Sequence, residues 1–274
     1  MAIVRARTTA LDMTNLDVTR ASQVFGNATT IRLQFGFRDV LLIRGEFTYD
    51  SEGNLTGGTV RSLERVTDGD KLYNVTGLSA PAVDFVAGLA EDDLTPLIAN
   101  TLAGNDVISG STGQDTLLGF DGDDRLSGGD DSDVLVGGAG RDKLFGGEGG
   151  DILRGGAGGD ILNGGAGDDV FEFAAVSDST ARNSGRDRIV GFESGDLIDL
   201  SLIDAVQTAG SEGTNEEFTL VEAFTGVAGQ LIIRTGELAG SFVVEGDVNG
   251  DSKADFAILF EKPVDAPTVS DFVF

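Results

Sequence analysis

The chain has 274 residues, of which 40% are hydrophobic, and this is enough for two or three compact units with apolar cores. Its formal charge is −27, from 19 basic and 46 acidic side chains, so it repels nucleic-acid phosphates and anionic lipid surfaces and attracts cations. The absence of cysteine and histidine excludes disulfides, thiolate chemistry, histidine-based catalytic triads and zinc proteolysis of the HExxH type.

The first twenty residues, MAIVRARTTALDMTNLDVTR, contain arginines but no apolar run as long as a secretory signal needs. No later stretch reaches the length that spans a membrane. We therefore expect a protein that either stays inside the cell or is exported by a signal located elsewhere in the chain.

A change in composition near residue 100 predicts a domain boundary. Residues 1–100 carry 9 basic and 13 acidic side chains, a net charge of −4, whereas residues 101–274 carry 10 and 33, a net charge of −23. Glycine is concentrated just after the boundary, because 21 of the 41 glycines lie in residues 101–172. We expect a small N-terminal domain over 1–100, a glycine-rich unit over 101–172 and a third unit over 173–274.

The N-terminal domain is predicted to be α+β or mainly β. The segment TIRLQFGFRD, residues 30–39, alternates apolar and polar residues as a half-buried strand does. Residues 45–66 read as a strand, a turn at Asp50–Asn54 and a second strand. Residues 80–104 have helical spacing, with Pro96 at a helix start after Thr95.

Acidic side chains in this domain are the candidates for catalysis. Glycoside hydrolysis needs only two carboxylates, and Glu46, Asp50, Glu52 and Glu64 are available. Acids that flank a hairpin turn are far more often solvated, and about a hundred residues leave little room for a deep cleft. We therefore predict that the chain is not an enzyme.

Residues 101–172 are eight contiguous nonapeptides without an insertion: TLAGNDVIS, GSTGQDTLL, GFDGDDRLS, GGDDSDVLV, GGAGRDKLF, GGEGGDILR, GGAGGDILN and GGAGDDVFE. The sixth position is always aspartate: Asp106, Asp115, Asp124, Asp133, Asp142, Asp151, Asp160 and Asp169. The eighth is always apolar: Ile108, Leu117, Leu126, Leu135, Leu144, Leu153, Leu162 and Phe171. A flexible linker has no reason for this periodicity, whereas a solenoid needs a regular apolar position to fill its core.

Each nonapeptide is predicted to form a short strand at positions 7–9, with one buried residue, after a six-residue turn. Glycines at positions 1, 2 and 4 permit positive φ angles and leave carbonyl oxygens unshielded. Two nonapeptides make one coil of about eighteen residues, which places Asp106 over Asp124 and Asp115 over Asp133, about 4.8 Å apart. Two bare carboxylates at that distance repel by about 3.5 kcal/mol at an effective dielectric constant of 20.

Calcium would remove this repulsion, because its oxygen distances of about 2.3–2.6 Å let one ion lie between two carboxylates and collect carbonyl oxygens. Magnesium fits less well, since it needs a smaller octahedral shell and retains its waters. The number expected is on the order of five to eight ions. Besides the sixth-position aspartates, the predicted ligands are turn residues of blocks three to eight: Gly119, Asp121, Asp123, Gly128, Asp130, Gly137, Ala139, Gly146, Glu148, Gly155, Ala157, Gly164 and Ala166.

These blocks resemble the GGxGxDxUx nonapeptides of the repeats-in-toxin (RTX) family, whose parallel β-roll binds calcium in its turns. The resemblance implies a mainly β fold with a parallel β-roll over 101–172. The first two blocks lack the double glycine, and Asp131 replaces the fourth-position glycine of block four. The departure implies that turns at the N-terminal end of the roll bind calcium weakly or not at all.

The segments DVFEF and RDRIVGFESGDLIDLS, the latter at residues 186–201, are similar to the cap of serralysin-type C-terminal domains. The final SDFVF is similar to the uncleaved tails read by type I secretion systems. The resemblance therefore implies a C-terminal capping β domain over 173–274 with a secretion signal. It also implies a secreted, extracellular or surface protein of a Gram-negative bacterium, with the type I machinery as a partner.

A second calcium loop is predicted in EGDVNGDSKADFAIL. This segment resembles compact DxNGDGxxD loops, with ligands at loop positions 1, 3, 5 and 9 and a carbonyl at position 7. Ser252 replaces the usual glycine, and an acidic hairpin turn is the alternative interpretation. The predicted ligands are Asp247, Asn249, Asp251, Asp255 and the carbonyl of Lys253.

The leading hypothesis is a secreted, non-catalytic calcium-binding protein that is structural, surface-associated or matrix-forming and can associate with itself. One alternative is a small carbohydrate-active or hydrolytic enzyme that carries an RTX export domain. Another is an accessory module that binds a cell-surface polysaccharide without turnover.

Overall fold

The computed structural model describes residues 3–5, 30–34, 39–49, 55–67, 70–81, 104–110, 112–206 and 217–274. These residues form twenty β-strands and short 3₁₀ turns, such as Asn183–Gly185 and Val269–Asp271, and contain no α-helix. The mainly β prediction is therefore confirmed. The chain divides into two compact units, Met1–Thr112 with Gly119–Gly122, and Gly113–Leu118 with Asp123–Phe274. The boundaries predicted near residues 100 and 172 stay predictions.

In the first unit, six strands follow one another in sheet order. The first pair is parallel and the others are antiparallel. Ile43, Phe47 and Val60 are buried. Alternate residues of a strand point to the same face, so apolar residues at such positions can line one buried face of the sheet. The strands are β1 (Ile3–Arg5), β2 (Thr30–Gln34), β3 (Asp39–Tyr49), β4 (Leu55–Thr67), β5 (Asp70–Pro81) and β6 (Val107–Ser109).

The predicted hairpin of this unit is confirmed in its two strands, since β3 pairs with β4 from Asp39 to Tyr49. Its turn, residues 50–54, lies outside the described residues, as do residues 35–38 of the predicted strand over 30–39. Ala80 and Pro81 end strand β5. Nearly all the rest of the predicted helical segment 80–104 is also outside the described part of the chain.

The nonapeptides of the second unit form parallel strands that alternate between two sheets. One sheet runs β8-β10-β12 and the other runs β13-β11-β9-β7, with β7 in this unit up to Leu118. Residues eighteen apart pair directly: Leu126, Leu144 and Leu162 in one sheet, and Leu135, Leu153 and Phe171 in the other. The predicted coil of two nonapeptides is thus confirmed. The strands are β7 (Thr116–Asp121), β8 (Arg125–Gly129), β9 (Val134–Gly140), β10 (Lys143–Glu148), β11 (Ile152–Gly158), β12 (Ile161–Ala166) and β13 (Val170–Glu172).

The strands are longer than the predicted three residues, because they continue into the glycines of the next nonapeptide. Strand β9, for example, runs through Gly137 and Gly138 to Gly140. Position 1 follows position 8 by two residues, so both point inward, and Leu135 and Gly137 are both buried. The core of the roll is therefore a leucine layer flanked by buried glycine.

Leu144 lies in the middle of this layer and is fully buried. We expect Leu144→Ala to lower the free energy of unfolding of the calcium-loaded protein by about 2–5 kcal/mol, since it removes buried methyl groups and leaves a cavity. The control is Leu118→Ala, because Leu118 is 41% exposed. Equal urea midpoints for the two variants would contradict a core centred on the eighth position.

The cap continues both sheets of the roll. Strand β14 (Asp187–Val190) pairs with β12 and with β19 (Phe256–Glu261), while β15 (Leu197–Asp199) pairs with β13 and with β20 (Phe272–Val273). An antiparallel meander of β17 (Gln230–Thr235), β18 (Ser241–Asp247) and β19 follows, with β16 (Thr219–Leu220) at its edge.

Aromatic side chains join the roll to this cap. The ring of Phe192 lies 6.1 Å from that of Phe171 and 5.2 Å from that of Phe260. Phe272 is buried in the last strand and stacks on Phe274 at 5.8 Å. The final residues therefore pack as part of the cap.

Candidate metal centre

Two rows of aspartate side chains run along the turns of the roll. In each row the Oδ1 atom of a sixth-position aspartate accepts a hydrogen bond from the backbone N–H of the aspartate eighteen residues earlier. The donor–acceptor pairs are Asp115–Asp133 at 2.7 Å, Asp124–Asp142 at 2.8 Å, Asp133–Asp151 at 2.8 Å, Asp142–Asp160 at 2.8 Å and Asp151–Asp169 at 2.9 Å. The predicted stacking of alternate repeats is thus observed for Asp115 over Asp133.

The second oxygen of these carboxylates has no partner. In five of the aspartates the Oδ2 atom is buried and makes no hydrogen bond. A buried acceptor without a donor costs about 1–3 kcal/mol, and more when it is ionised, so a repeated series of them needs a cation or protons. The five are Asp133, Asp142, Asp151, Asp160 and Asp169.

The glycine at position 1 of each turn makes room for this oxygen. A Cβ atom on Gly137 would lie within 3.0 Å of Asp142 Oδ2 and 2.6 Å from the carbonyl oxygen of Gly155. A Cβ on Gly128 would likewise meet Asp133 Oδ2 and lie 2.7 Å from the carbonyl oxygen of Gly146. A carboxylate oxygen and the carbonyl of the next coil therefore converge on a cradle that a side chain would fill.

The reason predicted for the position 1 glycines is therefore wrong in part. Positive φ angles occur at positions 2 and 4, as at Gly147 (127°) and Gly149 (124°), whereas position 1 needs glycine for space. Asp131, which replaces a fourth-position glycine, adopts a φ of 67°, a conformation that aspartate tolerates better than most residues.

The donor set fits calcium by its chemistry, since hard carboxylate and carbonyl oxygens are what this ion prefers. Within the described ranges, no three His, Cys, Asp or Glu side chains converge in a group that could hold a metal ion by themselves. A calcium ion in the roll would therefore depend on a carboxylate together with backbone oxygens, such as Asp142 Oδ2 and the carbonyl oxygen of Gly155 beside Gly137. The position 1 residues Gly128, Gly137, Gly146, Gly155 and Gly164 all lie against an Oδ2 atom.

Most of the other predicted ligands lie at the protein surface. The position 3 residues are exposed, and the carbonyl of Ala166 accepts a hydrogen bond from Gly149 at 2.8 Å. Asp123 is exposed and its Oδ1 accepts from the backbone N–H of Arg141 at 2.9 Å. Asp106 and Gly119 are buried. The exposed position 3 residues are Asp121, Asp130, Ala139, Glu148, Ala157 and Ala166.

Burial raises the pKa values of the aspartates in the two rows, and neighbouring carboxylates raise them further. Burial raises the pKa of Asp133 and Asp142 to about 6 and that of Asp160 and Asp169 to about 7. The charges of Asp151 on Asp133 and of Asp142 on Asp160 add to the rise in pKa, while the backbone hydrogen bonds oppose it. Holding these groups ionised without a cation therefore destabilises the fold.

The stability of the calcium-free protein depends on pH through these aspartates. Because the folded-state pKa values lie above the ordinary 3.8, the calcium-free folded state binds more protons than the unfolded chain between about pH 4 and pH 7. We expect the stability contributed by these groups to be complete below about pH 4 and to fall as the pH rises to about 7. Protons compete with calcium, so calcium affinity should weaken as the pH falls from 8 to 5. A folded fraction in chelator that rose with pH, measured by circular dichroism, would contradict this.

Two further aspartates continue the rows beyond the nonapeptides, and the sequence interpretation missed them. Asp187 Oδ1 accepts from the N–H of Asp160 at 2.9 Å, and Asp196 Oδ1 accepts from that of Asp169 at 3.1 Å. The step is 27 residues in both rows rather than eighteen. A signal was present, since aspartate recurs every nine residues through Asp178 to Asp187 and Asp196.

The predicted loop at 247–255 is a hairpin between β18 and β19 whose polar atoms bond to one another. Asp247 Oδ1 accepts from Gly250 N–H at 2.6 Å and its Oδ2 accepts from Ser252 N–H at 2.8 Å. Asn249 donates to Asp255 Oδ1 at 2.6 Å, and Lys253 Nζ lies 3.0 Å from Asp251 Oδ2. A calcium site here stays a prediction.

A comparison with protein families decides the affiliation of the chain. The family model described as "Peptidase M10 serralysin C terminal" matches residues 86–274. The chain belongs to this family. Serralysin C-terminal domains are RTX-type modules, a class that binds calcium and occurs in secreted proteins of Gram-negative type. No helix in the described part of the chain is long and apolar enough to span a membrane.

Solved structures similar to this member of the serralysin C-terminal family include two subunits of the Azotobacter vinelandii mannuronan C5-epimerase. The AlgE6R3 subunit is 25% identical, with a TM-score of 0.40 over 60% of this chain and 80% of its own. The AlgE6R2 subunit is 24% identical, with a TM-score of 0.38 over 61% of this chain and 91% of its own. A comparison with curated proteins finds no match.

Proposed function

We propose that this chain is a secreted module that folds its roll by binding several calcium ions in the two rows of turns. The observation that carries the proposal is the repeated unpartnered Oδ2 atom, which at each level lies against a position 1 glycine. Carbonyl oxygens of the next coil converge on the same cradles at Gly128 and Gly137. Such oxygen pairs are suitable ligands for calcium.

Ion binding then supplies folding free energy, as it does in other metal-dependent domains. Extracellular calcium modules have dissociation constants of about 10⁻⁴–10⁻³ M, so their sites are occupied outside the cell and empty in a calcium-poor cytoplasm. This difference supports export of an unfolded chain by the type I route, followed by folding outside.

We further propose that the module is non-catalytic and structural, at the cell surface or in a matrix, with self-association as its mode of assembly. The positions of two candidate acids of the first unit support the non-catalytic assignment. Glu46 pairs with Thr59, and Glu64 pairs with Leu42. The two levels are four residues apart on β3, which separates the backbones of the two acids by about 13 Å along the hairpin, whereas the carboxyl groups of a glycosidase pair lie roughly 5–10 Å apart.

The test is a calorimetric calcium titration with dynamic light scattering on the same samples. We expect on the order of five to eight ions, folding that accompanies their binding, and a rise in particle size if the module assembles. Folding without calcium uptake would contradict calcium-driven folding, and a constant monomer size would contradict self-association. Turnover of a polysaccharide or an ester by the calcium-loaded protein would contradict the non-catalytic assignment.

A further inference from the structure

Two arginines and two aliphatic residues lie in one row across the cap sheet. Arg234 of β17 pairs with Val243 of β18. Val243 pairs in turn with Leu259 of β19, which pairs with Arg188 of β14. Residues in register on neighbouring strands project from the same face of a sheet. Arg188 and Arg234 therefore flank the two aliphatic side chains, with their backbones about 14 Å apart across three strand spacings.

A third arginine joins this row at one end. Arg186 follows the 3₁₀ turn Asn183–Gly185 with an extended backbone, at φ −98° and ψ 129°. It precedes Arg188 by two residues, so both side chains point to the same face. The three arginines line a cavity of about 320 Å³, whose size is at the lower end of the range for small-molecule sites.

The guanidinium groups of Arg186 and Arg188 have donors that are not used within the described part of the chain. A guanidinium carries five N–H donors. Arg186 donates to the carbonyl oxygen of Ala181 at 2.7 Å, and Arg188 donates to Glu261 at 2.6 Å. The Nε atoms of both arginines are buried without a hydrogen-bond partner. A buried donor without an acceptor is unfavourable, so an anion that brought these groups into hydrogen bonds would be bound favourably.

The charges around the cavity favour a ligand with a single negative charge. Arg188 and Arg234 each form an ion pair with a glutamate of the neighbouring strand. Arg186 makes no salt bridge with a described residue, so one positive charge is left unbalanced. Glu237 also lines the cavity and is exposed, and it would repel a dianion more strongly than a monoanion. A carboxylate has this charge and the planar shape that matches a guanidinium fork.

The apolar side chains of the cavity indicate what the carboxylate is attached to. Val243 is buried and Leu259 is half-buried between the arginines, while Leu238 lines the cavity with 58% of its surface exposed. The described lining contains no aromatic ring and one side-chain amide, that of Asn183. A sugar ring would need several hydrogen-bond partners for its hydroxyl groups, whereas an aliphatic chain gains by burying apolar surface here.

We propose that this cavity binds a small aliphatic acid, with Arg186 holding its carboxylate and Arg188 and Arg234 on either side. Val243 and Leu259 contact the aliphatic body of the ligand. The site uses none of the oxygens of the aspartate rows. The inference therefore goes beyond the proposed calcium-dependent folding, and the two can fail separately.

The test is a titration of the calcium-loaded full chain with hexanoate, followed by NMR of the arginine Nε–H signals. We expect hexanoate to shift the signals of Arg186 and Arg188 with a dissociation constant on the order of 1 mM. Hexan-1-ol, which lacks the charge, and inorganic phosphate, which lacks the aliphatic body, should bind at least about tenfold more weakly. Equal binding of either compound would overturn the inference.

Two matched variants test the role of the unbalanced charge. Arg186→Gln should weaken hexanoate binding about tenfold or more. Arg154→Gln should bind hexanoate like the unchanged protein, because Arg154 lies in the other sheet and pairs with Glu172. Equal affinities of the two variants for hexanoate would overturn the inference, and calcium stoichiometry should be the same in both.

A further measurement on the unchanged protein covers the case in which Arg186→Gln does not fold. Crystals soaked in 6-bromohexanoate should show an anomalous bromine peak beside Leu238, Val243 and Leu259. A bromine peak at another place, or none, would overturn the inference. Glucuronate carries its carboxylate on a sugar ring, and displacement of hexanoate by an equal concentration of glucuronate would overturn the assignment of an aliphatic ligand.

Discussion

Replacing Asp142 by asparagine is expected to stabilise the calcium-free protein and weaken the calcium-bound one. Burial raises the pKa of Asp142 to about 6 from 3.8, so keeping it ionised in the folded state at neutral pH costs on the order of 1–3 kcal/mol once solvent screening is included. Asparagine removes that charge but keeps an oxygen for the N–H of Asp124. The same substitution removes an anionic ligand, and we expect about a tenfold or larger rise in the calcium concentration needed for folding.

The control is Asp265→Asn, which removes the same charge from an exposed loop. Circular dichroism measures both effects, as the folded fraction in chelator and as the calcium concentration at which half of the protein is folded. We expect Asp142→Asn to be more stable than the unchanged protein without calcium and less stable with calcium. We expect Asp265→Asn to change the stability little in either state. A fall in stability for Asp142→Asn in both states would indicate that the carboxylate acts through hydrogen bonding alone.

Gly146→Ala is expected to weaken calcium binding at one turn, because the added methyl group would occupy the space beside Asp151 Oδ2. Its added Cβ would lie within 3.0 Å of Asp151 Oδ2 and of the carbonyl oxygen of Gly164, and backbone atoms cannot rotate away. No positive φ is involved, so the effect comes from space alone. Overpacking of this kind costs about 1–3 kcal/mol, which corresponds to roughly a tenfold to hundredfold loss of calcium affinity at that turn.

Gly104→Ala is the matched substitution, because no heavy atom of the described residues lies within 4 Å of its added Cβ. Calorimetry and thermal unfolding in calcium distinguish the two variants. If Gly146→Ala bound calcium as tightly as Gly104→Ala, position 1 would not border an ion.

The period of nine predicts most of the roll. Only stacked nonapeptides can bury the repeated apolar residue and also give the repeated aspartate a backbone N–H of the neighbouring coil to bind. It does not reveal the 27-residue step, since Asp178 keeps the phase. The reason for the step is local: Phe173 stands where every stacked turn needs glycine, and Thr180 stands where the core needs an apolar side chain. The spacing of aspartate alone therefore predicts the stacked turns less well than the glycine, aspartate and apolar positions taken together.

The cap is harder to predict because its contacts are distant in sequence. Strand β14 pairs with β19, so Ile189 lies beside Phe260, and no local pattern encodes that choice. The sequence predicts a secretion tail in the final apolar residues, and in the structure Phe272 pairs with Ile198 at the end of a sheet. A packed strand is compatible with the proposed export signal, because the proposed route would read the signal before the chain folds.

Amide hydrogen exchange, followed by mass spectrometry with calcium and with chelator, tests the central claim most directly. The N–H groups of Asp124, Asp133 and Asp142 each donate to a stacked carboxylate whose second oxygen is unpartnered. With calcium, these amides and the rest of residues 113–172 should be strongly protected, and in chelator at neutral pH they should exchange as in an unfolded chain. Equal protection in both conditions would contradict a roll whose folding depends on calcium.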